Sequence, residues 1–201
     1  MSSFVGHGLV AATVLAGSHA ITPASAPRGP VWWTAFALSG SIPDLDAPFA
    51  AAFGPVLTRL PFEPSVASVH RGITHTVVFC IAAGILAAMA VSLFRRPASI
   101  ALACLLMALA VSTHPVLDIL GGCGKAIPAL WPFSAHAFQA SRHYLPCSSF
   151  STNFPGLLTL WFQPHMLIVM SLEFILFAPL LLLTLWFPRM NSRPTPPLSP
   201  L

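Results

Sequence analysis

Charge is what this chain has least of: nine Lys and Arg and five Asp and Glu among 201 residues, 7% in all. So few charges cannot solvate the surface of a soluble domain, and 56% of the residues are hydrophobic, with a mean hydropathy of +0.80. With several apolar runs too long for a soluble core, the composition is that of an integral membrane protein. There is no run of like charge, so the formal +4 gives no argument for a nucleic-acid partner. There is no paired-cysteine motif either, which argues against a thiolate metal site. No internal repeat is visible. No Lys or Arg precedes the first apolar run, and His7 sits inside it; although Ala24-Ser25-Ala26 has the look of a cleavage site, a retained helix is expected over a signal peptide.

What is present is a series of apolar segments delimited by proline and arginine. The first covers residues 4 to 21. The second, 31 to 42, rises only ~18 Å against a hydrocarbon thickness of ~30 Å, and stops at Pro43 ahead of Asp44-Leu45-Asp46. A connection with four prolines (48, 55, 61, 64), Arg59 and Glu63 follows. The third segment, 76 to 94, ends at Arg95-Arg96-Pro97; the fourth, 98 to 120, contains His114, Pro115 and Asp118; a long polar loop, 121 to 164, precedes the fifth, 165 to 187. The predicted architecture is all-α, a polytopic membrane bundle of about five helices with a long extramembrane loop. One domain is expected over 1–187, with a proline-rich disordered tail at 188–201. Alternating the spans puts Arg28, Arg95, Arg96, Arg189 and Arg193 on one side and Arg59, Arg71, Lys125 and Arg142 on the other. Five against four decides little, so loop length decides: N-terminus and long loops outside, C-terminus inside.

The same alternation gathers the polar residues. His7 opens the first helix, Asp44 and Asp46 close the second, His70 and His75 open the third in His70-Arg71-Gly72-Ile73-Thr74-His75, and His114 and Asp118 close the fourth. At ~1.5 Å per residue, Asp44, His75, His114 and Asp118 fall at heights of roughly 20 to 28 Å from the arginine side, a common depth. His114 and Asp118 are four apart and share a helix face. Thr74 is expected to cap the third helix, with His75 in its first turn. Imidazole and carboxylate suit zinc, and also manganese, iron, cobalt or nickel. The seven candidates, His7, Asp44, Asp46, His70, His75, His114 and Asp118, suffice for one or two divalent ions. Isolated carboxylates at this depth are costly.

Each candidate also has a plainer reading. His7 suits an interfacial helix, Asp44 and Asp46 a Pro-Asp turn cap, His114 and Asp118 a mutual hydrogen bond, and Arg71 a snorkelling or structural arginine. His19 reads as headgroup-facing on the opposite side. His136, His143 and His165 lie on the candidate side with no spacing that demands ligation. Glu173, inside the fifth span, is expected to face the bundle and pair with a polar group on a neighbouring helix. Cys123 and Cys147 suit a disulfide pinning the long loop, Cys80 and Cys104 are packing residues, and Trp32, Trp33, Trp131 and Trp161 fit interfacial belts.

The combination of an early histidine, Pro43-Asp44-Leu45-Asp46, His70-Arg71-Gly72-Ile73-Thr74-His75 and His114-Pro115-Val116-Leu117-Asp118 resembles the YdjM-like family of membrane-bound metal-dependent hydrolases of the inner membrane, over roughly residues 1 to 120. The resemblance implies a hydrolase distantly similar to zinc-dependent phospholipases C. Two departures stand out: Thr76 where the family often has serine, and a loop 121–164 without a counterpart. If the site is catalytic, a metal-activated water is expected to attack a phosphoester or lipid-derived ester, with Asp46 or Asp118 as general base and Arg71 holding a phosphate. A transporter and a non-catalytic scaffold with a structural metal site are the alternatives. The lipid bilayer is the expected partner.

Overall fold

The computed structural model of the chain describes residues 3–49, 70–145 and 163–191. Five α-helices are bounded within them: α1 (Phe4–Ile21), α2 (Pro30–Ser39), α3 (Val77–Phe94), α4 (Ile100–Gly121) and α5 (Pro164–Asn191). Two 3-10 turns, Pro43–Leu45 and Ile73–His75, lie between α2 and α3. No strand occurs among the described residues, so the chain is all-helical, as expected. α1, α3, α4 and α5 are each long and apolar enough to cross a membrane; α2, at ten residues, is not. Most of the prolines of the connection before Arg71 (55, 61, 64), together with Arg59 and Glu63, lie outside the described residues, as do Trp161 and the tail from 192. α5 runs past the expected end at 187 to Asn191.

The helices begin where the sequence supplies an acceptor for their unpaired N–H groups. The Ser3 side chain accepts from Val5 N, Ser99 from Leu102 N, and Thr76 from Phe79 N, while Pro30 opens α2 behind Gly29. The cap of α3 corrects one expectation. Thr76, and not Thr74, starts the helix, because the Thr74 hydroxyl donates to Asp46 Oδ2 instead. His75 therefore precedes the helix, held inward by the 3-10 turn.

In lipid, apolar side chains gain nothing by leaving the bilayer, so helices associate through close backbone approach. α3 packs along α4 on this basis: a Cβ on Gly84 would stand 2.5 Å from Ala108 Cα. The core between α1, α2, α3 and α4 is built from Ala11, Leu15, Trp32, Phe36, Ala88, Ala103, Met107 and Ala110. Trp32 is thus a core residue, not a member of an interfacial belt; the short α2 turns it against Phe36 and α1, with Trp33 only partly buried beside it. Leu86, Leu93, Leu105, Ile175 and Leu183 point outward, as lipid-facing residues do.

Glu173 is fully buried in α5 and accepts from Ser3 N at 2.7 Å, from Gly6 N at 3.2 Å and from the Ser3 hydroxyl. The polar neighbour expected for it is therefore the N-terminus of α1, where exposed N–H groups and the helix dipole both favour an anion. This contact sets the depth of α1, and with it the position of His7 one turn further on.

Gly84→Ala is expected to lower the thermal stability of the detergent-solubilised protein by about 1–3 kcal/mol, the usual penalty of overpacking. Gly17→Ala, where nothing lies within 4 Å of the added carbon, should leave the melting temperature unchanged or slightly raised.

Candidate metal centre

Three elements meet at one end of the bundle and together deliver four donors. α4 presents His114 and Asp118 one turn apart, the first 3-10 turn presents Asp44, and the second presents His75. His75 Nε2 and His114 Nε2 are 3.2 Å apart. Asp44 Oδ1 stands 3.5 Å from the former and 3.3 Å from the latter. Asp118 Oδ2 stands 3.6 and 3.9 Å from the same two nitrogens. One donor atom from each of the four residues lies within 4.8 Å of every other.

The residues behind these donors fix which ring nitrogen carries the proton. His114 Nδ1 donates to the Gly40 carbonyl at 2.7 Å, leaving Nε2 as an acceptor. Thr74 donates its own proton to Asp46, so at 3.0 Å it accepts from His75 Nδ1, which leaves His75 Nε2 as an acceptor too. Two lone pairs then face each other across 3.2 Å with two carboxylate oxygens alongside. This arrangement calls for a positive charge among the four atoms, either a further proton shared between the facing nitrogens or a metal ion. A tetrahedral ion with bonds of ~2.0–2.1 Å would space its ligands about 3.3 Å apart, close to the separations measured. Asp44 Oδ1 has no hydrogen-bond partner among the described residues, as a vacant donor should. The donor set therefore fits a divalent metal ion.

The two residues on the 3-10 turns, Asp44 and His75, are held in ligating forms. Burial opposes charge on Asp44, yet the His114 and His75 imidazoles beside it hold its carboxyl well below the usual carboxylate range. Burial also pushes the His75 imidazole below its ordinary range, against the pull of Asp44. Carboxylate and neutral imidazole are the ligating forms.

The other three expected ligands stand around this quartet and not in it. Asp46 is a support: His70 Nδ1 donates to its Oδ1 at 2.8 Å, Thr74 to its Oδ2, and His75 Nδ1 lies 3.7 Å away. His70 meets His75 edge-on, 5.2 Å between ring centres. His7 stacks on His114 at 3.8 Å, its Nε2 3.6 Å from Asp118 Oδ1, the carboxylate oxygen turned away from the quartet.

Arg71 is buried, with a left-handed backbone (φ 60°) that costs a non-glycine residue about 1–2 kcal/mol. Its guanidinium holds the segment in place, Nη2 lying 3.1 Å from Asp118 Oδ2 while Nη1 donates to the Lys125 carbonyl at 3.1 Å and to the Cys123 carbonyl. It ties α4 to the following loop, while Nε has no hydrogen-bond partner among the described residues.

Among the loop histidines, His136 rests edge-on against Phe138 and His143 Nδ1 lies 3.1 Å from the Gly121 carbonyl; neither joins the quartet. His19, at the other end, meets the Pro27 carbonyl at 2.8 Å. Cys123 is disulfide-bonded, as expected; its expected partner, Cys147, lies outside the described residues. The residue that reading the sequence missed is Gly40. Its carbonyl orients His114, and a Cβ there would stand 2.4 Å from the His7 carbonyl oxygen. A glycine four residues before the first aspartate was the available signal.

A bundle of apolar spans with a His/Asp quartet buried among their ends defines a polytopic membrane protein with a candidate metal centre. The chain belongs to the YdjM inner membrane protein family, whose model matches residues 1–193. The matched span extends past the roughly 120 residues that carry the motifs and takes in the loop after α4 and α5. No curated protein and no solved structure matches the chain.

Asp46→Asn keeps the shape of the side chain but removes the charge behind His75. Metal affinity is expected to fall about 10–100-fold, as when other carboxylates behind histidine ligands are lost, with the melting profile of the apo-protein little changed. Zinc titration against a chromophoric chelator measures it.

Proposed function

We propose that Asp44, His75, His114 and Asp118 hold one divalent ion, zinc by donor chemistry, and that the protein is a membrane-bound metal-dependent hydrolase of phosphoesters or lipid-derived esters. The observation that carries this reading is the pair of imidazole acceptors facing each other beside two carboxylates. A bound ion supplies a water acidified toward pH ~7 and a Lewis acid for a phosphoryl or carbonyl oxygen.

The chain's own residues do the rest. Asp44 is the exposed member of the quartet, its side chain 18% accessible while the other three are sealed, so substrate approaches along its side. Asp118 is the general base of this scheme, taking the proton of the attacking water at Oδ2, the oxygen that faces the quartet, while His7 Nε2 braces its Oδ1 from behind. Asp46 orients His75, and Arg71 orients Asp118; both are positioning residues in this scheme, in place of the base and phosphate clamp expected for them.

The site faces the outside of the inner membrane. The Cys123 disulfide at this end of the bundle belongs in an oxidising compartment, and Arg28, Arg95 and Arg96 mark the opposite end as cytoplasmic. A transport path is disfavoured because the buried faces of α3 and α4 beyond the site, Cys80, Gly84, Ala88, Ala103 and Met107, are apolar until Ser92.

Purified protein is expected to contain one zinc per chain and to turn over a model phosphodiester. His114→Ala and Asp118→Ala should lose both metal and activity, whereas Arg71→Lys should retain metal and lose most of the rate. Stoichiometric metal without turnover on a broad panel of phosphoesters, esters and amides would identify a scaffold. Metal-free protein that stays folded and cannot be loaded would sink the metal reading.

A further inference from the structure

The loop after α4 is fastened to the site end of the bundle at several points. Ile127 and Phe138 exchange backbone hydrogen bonds of 2.9 and 2.8 Å and close its stem. The Ala129 carbonyl accepts from Val77 N, the first residue of the α3 span, at 2.9 Å, and Ala140 N donates to the Ile119 carbonyl near the end of α4 at 3.0 Å. Ile127 and Ala129 are buried. The backbone is thus fixed at the level where two spans reach the membrane boundary.

On this fixed stem the turn that follows exposes its most apolar side chains. Phe133 is 85% accessible, Leu130 46% and Trp131 44%. Such a group has no reason to be turned into water, and a contiguous exposed apolar cluster of this kind marks a surface that is covered. From Ala126 to Ser141 there is no Asp, Glu, Lys or Arg, and the cations Lys125 and Arg142, both exposed, stand at the two ends of the charge-free stretch. The chain's single tyrosine, Tyr144, is exposed at the same level, its N–H meeting the Leu120 carbonyl at 3.3 Å. Immediately beneath, Val78, Ile81 and Val116 are exposed on the faces of α3 and α4 that meet lipid.

We propose that the Leu130–Phe133 turn is seated in the bilayer interface beside the quartet, its apolar side chains among the upper acyl chains and Lys125 and Arg142 at the headgroup phosphates. The occupant is lipid because the patch continues the lipid-facing surface of α3 and α4, and because apolar and aromatic side chains flanked by cations are the composition that partitions into an interface. The loop is then a fifth point of membrane attachment beside the four long spans, and the rim of the site on this side is lipid. The inference stands whether or not the quartet binds metal.

The test uses the full chain in nanodiscs whose acyl chains carry bromine, a quencher of indole fluorescence, compared with unbrominated discs and with aqueous iodide. Phe133→Trp adds one indole at the most exposed position, and Trp131→Phe removes one. The added emission of the first, and the emission lost in the second, should be quenched several-fold more by acyl-chain bromine than by iodide. Quenching by iodide with indifference to bromine would overturn the proposal. So would indifference to both, which would mean that protein, such as a second copy of the chain, covers the turn.

Discussion

Two carboxylates and two imidazoles lie within 4.8 Å of one another at the membrane end of a helical bundle, and every element that ends there is arranged around that fact. Carboxylates removed from water are tolerated only with compensating charge or hydrogen bonds. Both carboxylates have such compensation here, since Asp118 meets Arg71 and His7 as well as the quartet, and Asp44 lies against both imidazoles. The imidazoles in turn have their Nδ1 protons taken by a carbonyl and a hydroxyl. The quartet is therefore held in one protonation pattern by residues drawn from α1, both 3-10 turns, α4 and the loop. That dependence explains why the buried histidines and aspartates among the described residues are all gathered here.

Much of this was legible in the chain. Span positions, the convergence of four segments, the common depth of Asp44, His75, His114 and Asp118, and the inward role of Glu173 follow from apolar run length, helix rise and the penalty of buried charge. What could not be read was the division of labour. Asp44 and Asp46 are chemically identical and two residues apart, and only the 3-10 turn decides that one joins the quartet while the other braces His70 and Thr74. The same holds for His70 and His75. Trp32 departs from the belt expectation because aromatic composition says nothing of helix length, and a ten-residue helix has no second membrane face to reach.

Thr76 shows how a departure from a family pattern can leave the physics intact. Serine, often found there in the family, and threonine both offer the hydroxyl that accepts from the third N–H of a new helix, and in this chain Thr76 does so with Phe79 N. The position selects a cap, not a ligand, and its neighbour His75 depends on the cap to stay outside the helix and turn inward.

Glu173 has a consequence for biogenesis. α1 carries His7 into the site, but its start is fixed by a carboxylate on α5, 170 residues after Ser3 and therefore synthesised well after it. Until that helix is in the membrane, the N-terminus of α1 lacks this anion. Assembly of this end of the protein is thus a late event, completed by the segment that contributes nothing to the quartet itself, and a chain interrupted before Pro164 would carry the quartet's residues without the clamp that sets the depth of His7.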